Sequence, residues 1–139
     1  MRKIEFRGKR LDTGEWVYGY LIGKDVIVGE VVEFHEEYFW TEFWYKVDPA
    51  TVGQSTGLLD KNGVEIYGGH IVEVRYKNLL KPGEEIVERY HIKMGKSTLW
   101  EMIHSSGAKQ WDRILFMEHR RAEVIGNIYD NPELLEVKS

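Results

Sequence analysis

Residues 16–32 read WVYGYLIGKDVIVGEVV and contain two short runs of β-branched and aromatic residues. Runs of this kind, about four to eight residues long and bounded by glycine and polar residues, are typical of β-strands. They predict strands over residues 16–22 and 26–32. The same pattern elsewhere in the chain predicts strands over residues 4–7, 43–47, 71–76, 86–94, 98–103 and 123–128. The protein is therefore predicted to be mainly β.

Glycine-containing turns separate several of these predicted strands. They are Asp12-Thr13-Gly14, Asn62-Gly63, Lys81-Pro82-Gly83 and Gly95-Lys96-Ser97. Glycine supplies the positive φ angles that tight reversals require. The sequence therefore predicts short strands joined by short turns.

Helix is predicted only near the C-terminus. Trp111, Ile114, Leu115 and Glu118 have the spacing of one helical face, which predicts a short helix over residues 111–119. A second helical turn is predicted after Asn131, a good N-cap residue that Pro132 follows. One or two short helices thus complete the predicted fold.

The length of 139 residues fits a single domain over residues 1–139, with a soft subdivision near residues 57–63. No cysteine is present, which excludes disulfides, thiolate metal sites and a cysteine nucleophile. We find no secretory signal pattern and no apolar run of the roughly 20 residues that a membrane helix needs. The expectation is a cytoplasmic protein that does not act at a membrane.

Three motifs suggest catalysis or metal binding, and each has a structural alternative. Gly53-Gln54-Ser55-Thr56-Gly57 matches the nucleophile elbow of serine hydrolases, but no long helix is predicted after it. The five histidines, His35, His70, His91, His104 and His119, lack the close spacing of a zinc helix, although folding could still bring distant ligands together. Clustered acids at Glu30, Glu33, Glu36, Glu37 and Glu42 could form a general acid–base pair or a solvated face. We expect no catalytic residue, cofactor or metal site.

Aromatic residues are concentrated between residues 34 and 45, where seven of the chain's 18 aromatics lie. Tyrosine and tryptophan bury large rigid surfaces at binding interfaces, and they also fill protein cores. Both interpretations remain open from the sequence. The candidate interaction surface consists of Tyr38, Trp40, Trp44 and Tyr45.

The negative net charge disfavours a protein whose main function is to bind the phosphate backbone of nucleic acid. The chain carries 19 Lys and Arg against 23 Asp and Glu, a net charge of −4, whereas phosphate binding favours a basic surplus. Residues 30–50 alone contain six acids and one lysine. Phosphate contacts are expected only at the basic N-terminal end, Arg2, Lys3, Arg7, Lys9 and Arg10, and at Arg113, Arg120 and Arg121.

Residues 44–63, WYKVDPATVGQSTGLLDKNG, with EIYGGHIV at 65–72, resemble the signature of the YopX-like proteins of phages and prophages. The segments FRGK at 6–9, WVYG at 16–19 and EVIGNIYDNPELL at 123–135 are similar to the family's opening and close. Relatives tend to have Glu-Gly-Asp where this chain has Gly68-Gly69-His70. The resemblance implies a small SH3-like β-barrel with additional N-terminal strands, and it implies no assigned biochemical activity.

Together these observations predict a non-enzymatic binding or adaptor module that acts through an aromatic surface. Its partner would be an unidentified protein or a second copy of the chain. The first alternative is a nucleic-acid-associated phage accessory factor, which the net charge disfavours. The second is a small hydrolase.

Overall fold

The computed structural model describes residues 5–29, 31–34, 36–37, 39–41 and 43–136. Of residues 31–34 and 39–40 it describes the backbone alone. The chain divides into two compact units, Met1–Ser55 and Thr56–Ser139. Both are built from short antiparallel strands, so the prediction of a mainly β protein is confirmed.

The first unit contains a meandering antiparallel sheet. Its strands have the order β6-β3-β2-β1, and the first residues of β7 continue it beside β1. A separate hairpin is formed by β4 and β5. The bounds are β1 Phe6–Lys9, β2 Trp16–Ile22, β3 Val26–Val28, β4 Val31–Phe34, β5 Phe39–Thr41, β6 Trp44–Lys46 and β7 Gly53–Leu59.

The turn between β1 and β2 lies at the predicted Asp12-Thr13-Gly14. Gly14 has a φ of 75°, and its N–H donates to the carbonyl of Arg10 at 2.9 Å. Behind this turn, Ile27, Val28 and Val47 are buried. Their burial gives this small unit an apolar centre.

The second unit contains a five-stranded antiparallel sheet with the order β12-β11-β10-β9-β13. The last residues of β7 also lie in this unit and pair with the short strand β8. The bounds are β8 Glu65–Tyr67, β9 His70–Lys77, β10 Glu85–Met94, β11 Trp100–His104, β12 Arg113–Ile114 and β13 Ala122–Asn127.

One face of this sheet forms the core of the second unit. In the strand register Tyr90 lies opposite Val72, and Ile92 lies opposite Met102; all four side chains are buried. Leu115 completes the same cluster from a single helical turn, α1 (Leu115–Glu118). Alternate residues of β10 therefore point into the core, and the intervening residues His91 and Lys93 belong to the opposite face.

The C-terminal helices differ from the prediction. In place of a helix over residues 111–119 the chain forms a 3-10 turn (Lys109–Trp111), strand β12, α1 and a second 3-10 turn (His119–Arg121). Pairing of β12 with β11 overrides the helical periodicity, because Ile114 lies opposite Glu101 in the sheet. The predicted turn after Asn131 is present as the 3-10 turn Pro132–Leu135. A further 3-10 turn, Pro49–Thr51, precedes β7.

Several strands were not predicted from the sequence: β5, β7, β8 and β12. The predicted strand over residues 26–32 is divided into β3 and the start of β4. No helix in the described residues is long and apolar enough to cross a bilayer.

Candidate functional site

Trp44 is the exposed aromatic of the predicted surface. It begins β6, and 65% of its surface is accessible to solvent. Among the described strands β6 pairs with β3 on one side. On its other side the carbonyl of Lys46 accepts the N–H of Leu11 at 3.1 Å, next to a bridge between Arg10 and Val47. Phe43 accepts a hydrogen bond from Gly29, and Val47 donates one to Asp25. Because antiparallel hydrogen bonds alternate along a strand, the backbone N–H and C=O of Trp44 point away from β3.

Tyr45 is held within the first unit and is half-buried. Its ring stacks on Phe43 with the centroids 5.5 Å apart. The guanidinium of Arg10 lies 3.9 Å from the centre of the Tyr45 ring, a cation–π geometry. Arg10 in turn donates two hydrogen bonds to the carboxylate of Asp12, which raises the pKa of Arg10 and lowers that of Asp12. Tyr45 therefore stabilises the unit.

The side chains of the other two predicted surface residues, Tyr38 and Trp40, are not among those that the structure describes. Tyr38 lies outside the described residues, and so does the side chain of Trp40, whose backbone belongs to β5. Of the two members of the predicted surface whose side chains are described, Trp44 is exposed and Tyr45 is packed.

The acidic stretch provides no described acid pair suited to catalysis. Glu36 and Glu37 are exposed, whereas general acid–base chemistry needs one carboxyl group withdrawn from water. Asp48 is used structurally, since its carboxylate accepts the N–H of Ala50 at 3.0 Å and caps the 3-10 turn there. The side chains of Glu30, Glu33 and Glu42 lie outside the described residues.

The basic N-terminal end is not arranged as a phosphate site in its described part. Arg7 is buried, and its guanidinium lies 4.1 Å from the centre of the Trp16 ring. Lys9 lies over the same ring at 5.8 Å, and Arg10 is bound to Asp12. Arg2 and Lys3 lie outside the described residues. Of the predicted phosphate contacts at this end, the described residues Arg7, Lys9 and Arg10 therefore interact with aromatic rings and an acid of the chain itself.

The Gly-x-Ser-x-Gly motif does not form a nucleophile elbow. Residues 53–57 lie within strand β7, and the turn at residues 60–63 and strand β8 follow it. Ser55 donates its backbone N–H to the carbonyl of Glu5 at 2.7 Å, as a sheet residue does. A strand followed by a second strand cannot present a hydroxyl above a helix N-terminus, so the motif has a structural role.

The four described histidines lie in different places. Across the described ranges, no group of three or more His, Asp or Glu residues could hold a metal ion. His35 lies outside these ranges. His119 uses Nδ1 to donate to the carbonyl of Leu59 at 2.7 Å, which secures the end of β7.

His104 forms a polar cluster that the sequence did not predict. Its Nε2 is hydrogen-bonded to Glu88, and its Nδ1 lies 2.7 Å from the hydroxyl of Ser106. The backbone N–H of Ser106 also donates to Nδ1, and Ser106 Oγ accepts the N–H of Ala108. These contacts close the loop after β11, so the hydroxyl is engaged in turn structure. The signal in the sequence was the short His-x-Ser spacing, but the partner Glu88 lies on another strand.

A mainly apolar pocket of about 230 Å³ lies beside this cluster, with Tyr76, Tyr90 and Trp111 in its walls. Burial, together with a hydrogen bond to Tyr76, raises the pKa of Tyr90 far above its usual range. Tyr90 is therefore a neutral hydroxyl at physiological pH. Its ring meets His104 edge to face, with the centroids 5.3 Å apart.

A larger groove of about 780 Å³ lies on the outer face of β10 and β11. Its cationic side chains are Lys93, Lys96, Lys109 and Arg113, and its acids are Glu101 and Asp112. His91 also lines it, and burial, assisted by the charge of Lys93, lowers the pKa of that histidine. Of the arginines predicted to contact phosphate, Arg113 lies here, whereas Arg121 pairs with Glu118.

A family model for the YopX protein matches residues 5–136, nearly the whole chain. The chain belongs to the YopX family. No curated protein matches it. Among solved structures it is similar to the crystal structure of protein EF1440 from Enterococcus faecalis, with 23% identity and a TM-score of 0.60. That likeness covers 98% of this chain and 100% of the other, and it concerns the fold.

Membership of the YopX family draws attention to the departure at Gly68-Gly69-His70. His70 is buried, and its Nδ1 accepts the backbone N–H of Tyr67 at 2.9 Å. A carboxylate can accept such a bond in the same way, because a turn needs only an acceptor at this point. In this YopX chain an imidazole therefore supplies the turn's acceptor without an acidic group.

Proposed function

We propose that this protein is a non-enzymatic binding module that receives an extended segment of a partner protein along strand β6, with Trp44 as the anchor. The observation that carries the proposal is the 65% exposure of Trp44, whose backbone N–H and C=O point away from β3 at the part of β6 that precedes the bond between Leu11 and Lys46. A sheet edge offers a row of backbone donors and acceptors, and an added strand satisfies them. Burying an exposed indole then supplies affinity that backbone pairing alone lacks.

The charge of the surrounding sequence supports a basic partner segment. Residues 30–50 carry six acids and one lysine, and the described acids Glu36 and Glu37 are exposed. An arginine or lysine on the added strand can lie over the Trp44 ring, and the negative charge of residues 30–50 favours its approach. An acidic segment would be repelled. We therefore propose an extended, basic stretch of a phage or host protein in the cytoplasm.

We further infer that the second unit is the SH3-like barrel of the family. The strand order β12-β11-β10-β9-β13 supports this inference. The last strand along the chain, β13, follows the helical turn α1 and pairs with β9, which is the first strand of this sheet along the chain. The strands of the first unit would then be the additions to that barrel. An experimental structure in which β12 and β13 lie on one open, flat sheet would contradict the inference.

The binding proposal is tested with arrays of synthetic ten-residue peptides. Apolar and polar residues alternate in each peptide, as in an extended β-strand, and the peptides differ in net charge. We expect the basic peptides to bind and to change the fluorescence of Trp44. Trp44→Ala should weaken binding by at least about tenfold, since loss of an aromatic anchor typically costs about 2 kcal/mol or more. Trp111→Ala is the matched control, because Trp111 is 50% exposed and lies in the second unit.

Equal binding by wild type and Trp44→Ala would refute the proposal. So would a preference for acidic peptides. Light scattering after size-exclusion chromatography adds the second outcome: if the wild type dimerises and Trp44→Ala is monomeric, the occupant of β6 is a second copy of the chain. Both variants must retain the wild-type circular dichroism spectrum.

A further inference from the structure

The groove on the outer face of β10 and β11 is lined by four cationic side chains. The hairpin turn at Gly95-Lys96-Ser97 borders it on one side, and the loop from Gly107 to Asp112 borders it on the other. Its volume of about 780 Å³ is within the usual range for small-ligand sites, about 300–1,000 Å³. The groove lies entirely within residues 91–114 and is independent of the peptide site proposed above.

The cations of the groove outnumber its acids by four to two in a chain whose net charge is −4. Of the two acids, Asp112 is occupied, because its Oδ1 accepts the backbone N–H of His104 at 2.8 Å. Glu101 lies directly against the backbone of Gly95. Within the described residues no ion pair involves Lys93, Lys96 or Lys109. These ammonium groups are therefore available to an anion.

The groove also has an apolar component. Ile103 lies in its floor, and Met94 and Ile114 line it as partly exposed side chains. Arg113 lines both this groove and the smaller pocket that contains Trp111, whose ring is 50% exposed. Trp111 lies in the smaller pocket, with Tyr90 on the face of the sheet opposite Lys93, but it shares the 3-10 turn Lys109–Trp111 with a lysine of the groove. The indole is therefore next to one end of the groove, and cations next to an exposed indole are the combination that binds unpaired bases and their phosphates.

We propose that this groove binds a short single-stranded stretch of nucleic acid. Lys93, Lys96, Lys109 and Arg113 contact the phosphates, and a base stacks on Trp111. The overall negative charge does not prevent this, because charges farther away than about 8–10 Å are screened at physiological salt. A base can reach the Trp111 ring only when it is unpaired, so the site discriminates against a duplex.

The loop geometry explains why Lys96 acts through its side chain. Gly95 donates its N–H to the carbonyl of Leu99 at 2.8 Å, and Thr98 donates to Gly95 at 3.2 Å. These amides are consumed by the turn, so the backbone is not a phosphate cradle. The lysine side chain is exposed at the tip and free to rotate toward the ligand.

Fluorescence anisotropy of a labelled 12-nucleotide oligothymidine, with the full chain at 50 mM salt, tests the proposal. Lys96→Glu/Lys109→Glu should weaken binding at least tenfold, and Trp111→Ala at least fivefold. Lys24→Glu/Lys81→Glu makes the same change of net charge at exposed positions outside the groove, and we expect less than a twofold effect. Three or four phosphate contacts predict a slope of about −2 to −3 for log affinity against log salt.

The proposal is overturned if the oligonucleotide does not bind at 50 mM salt. It is also overturned if the two double variants weaken binding equally, because the charge effect would then be nonspecific. Equal affinity for a 12-base-pair duplex removes the single-strand assignment. If ATP displaces the labelled oligonucleotide at concentrations as low as those at which the unlabelled oligonucleotide does, the ligand is a free nucleotide instead. Peptide binding at Trp44 is measured separately and stays unchanged in the groove variants.

Discussion

Asp60 and Val124 are 64 positions apart in sequence and are joined by a hydrogen bond. Oδ2 of Asp60 accepts the backbone N–H of Val124 at 2.9 Å. Its other oxygen, Oδ1, accepts the N–H groups of Asn62 at 2.8 Å and Val64 at 2.9 Å. The side chain is 6% exposed. A single buried carboxylate therefore closes the turn after β7 and fastens that turn to β13.

Replacing Asp60 should destabilise the second unit. Asp60→Ala leaves three backbone N–H groups without their acceptor, and we expect a loss of about 2–4 kcal/mol in the free energy of unfolding. Asp60→Asn keeps one acceptor oxygen but places an amide near the N–H of Val124, which predicts an intermediate loss. Urea unfolding followed by circular dichroism measures both.

The matched control for this substitution is Asp12→Asn. Asp12 is also paired through both oxygens, but its side chain is 65% exposed, and exposed ion pairs contribute about 0–1 kcal/mol. If Asp60→Ala lowers the free energy of unfolding by no more than Asp12→Asn does, the carboxylate of Asp60 does not fasten the turn after β7 to β13.

Gly19 is predicted to be irreplaceable in the first unit. A Cβ atom at this position would lie 2.1 Å from the carbonyl oxygen of Val28, a backbone atom that cannot move without disturbing β3. Gly19→Ala should therefore cost about 2–4 kcal/mol. Gly23→Ala provides the comparison: its φ is 65° but nothing lies within 4 Å, so the cost is backbone strain of about 1 kcal/mol. Similar unfolding midpoints for the two variants would disprove the steric account.

Arg89 is predicted to hold the C-terminal turn against the sheet. Its Nη1 donates to the carbonyl of Leu134 at 3.1 Å, and its Nε donates to the buried carboxylate of Glu73 at 3.1 Å. Arg89→Met keeps much of the apolar stem but removes both bonds. We expect hydrogen exchange at the amides of Leu134 and Glu136 to accelerate by about tenfold.

Arg75→Met is the control for Arg89→Met. Arg75 donates to the same carboxylate of Glu73, so its loss perturbs the ion pair without touching the C-terminal turn. Exchange at Leu134 and Glu136 should keep its wild-type rate in this variant. Acceleration in both variants would mean that Glu73, rather than the bond to Leu134, controls the turn.

Stability should fall on mild acidification because of His91. Burial and the nearby Lys93 lower the pKa of His91 in the folded protein, against a weaker opposing effect of Asp112. An unfolded histidine takes up a proton near pH 6.5, so below that pH the unfolded chain binds a proton that the folded chain resists. The resulting stability is present above about pH 6.5 and is lost as the pH falls toward the folded pKa.

His91→Gln removes this titration and should lose less stability than wild type between pH 7 and pH 5. Guanidinium unfolding at both pH values measures the difference. Proton NMR of the imidazole provides an independent check on the wild type. A His91 pKa at or above about 6.5 in the folded protein would contradict the prediction.

The sequence by itself determined the class of fold and most of its strands. Alternating apolar runs and glycine turns such as Asp12-Thr13-Gly14 report local backbone preference, which survives in the folded chain. Trp44, a member of the aromatic surface that the sequence suggested, is exposed, and its part in binding stays a prediction. The family resemblance, now shown by the match over residues 5–136, rests on the same linear information.

Only the tertiary structure decided which local patterns were overridden and which charges remained available. Strand pairing converted the Gly-x-Ser-x-Gly motif and residues 113–114 into strands, because hydrogen bonds to neighbouring strands outweigh weak local propensity. Packing also placed Arg7 and Lys9 over Trp16, and Arg10 against Tyr45 and Asp12. It brought the lysines of β10, its turn and a later loop to one groove. Contacts between residues far apart in sequence leave no periodic trace, so charge counts alone could not locate that groove.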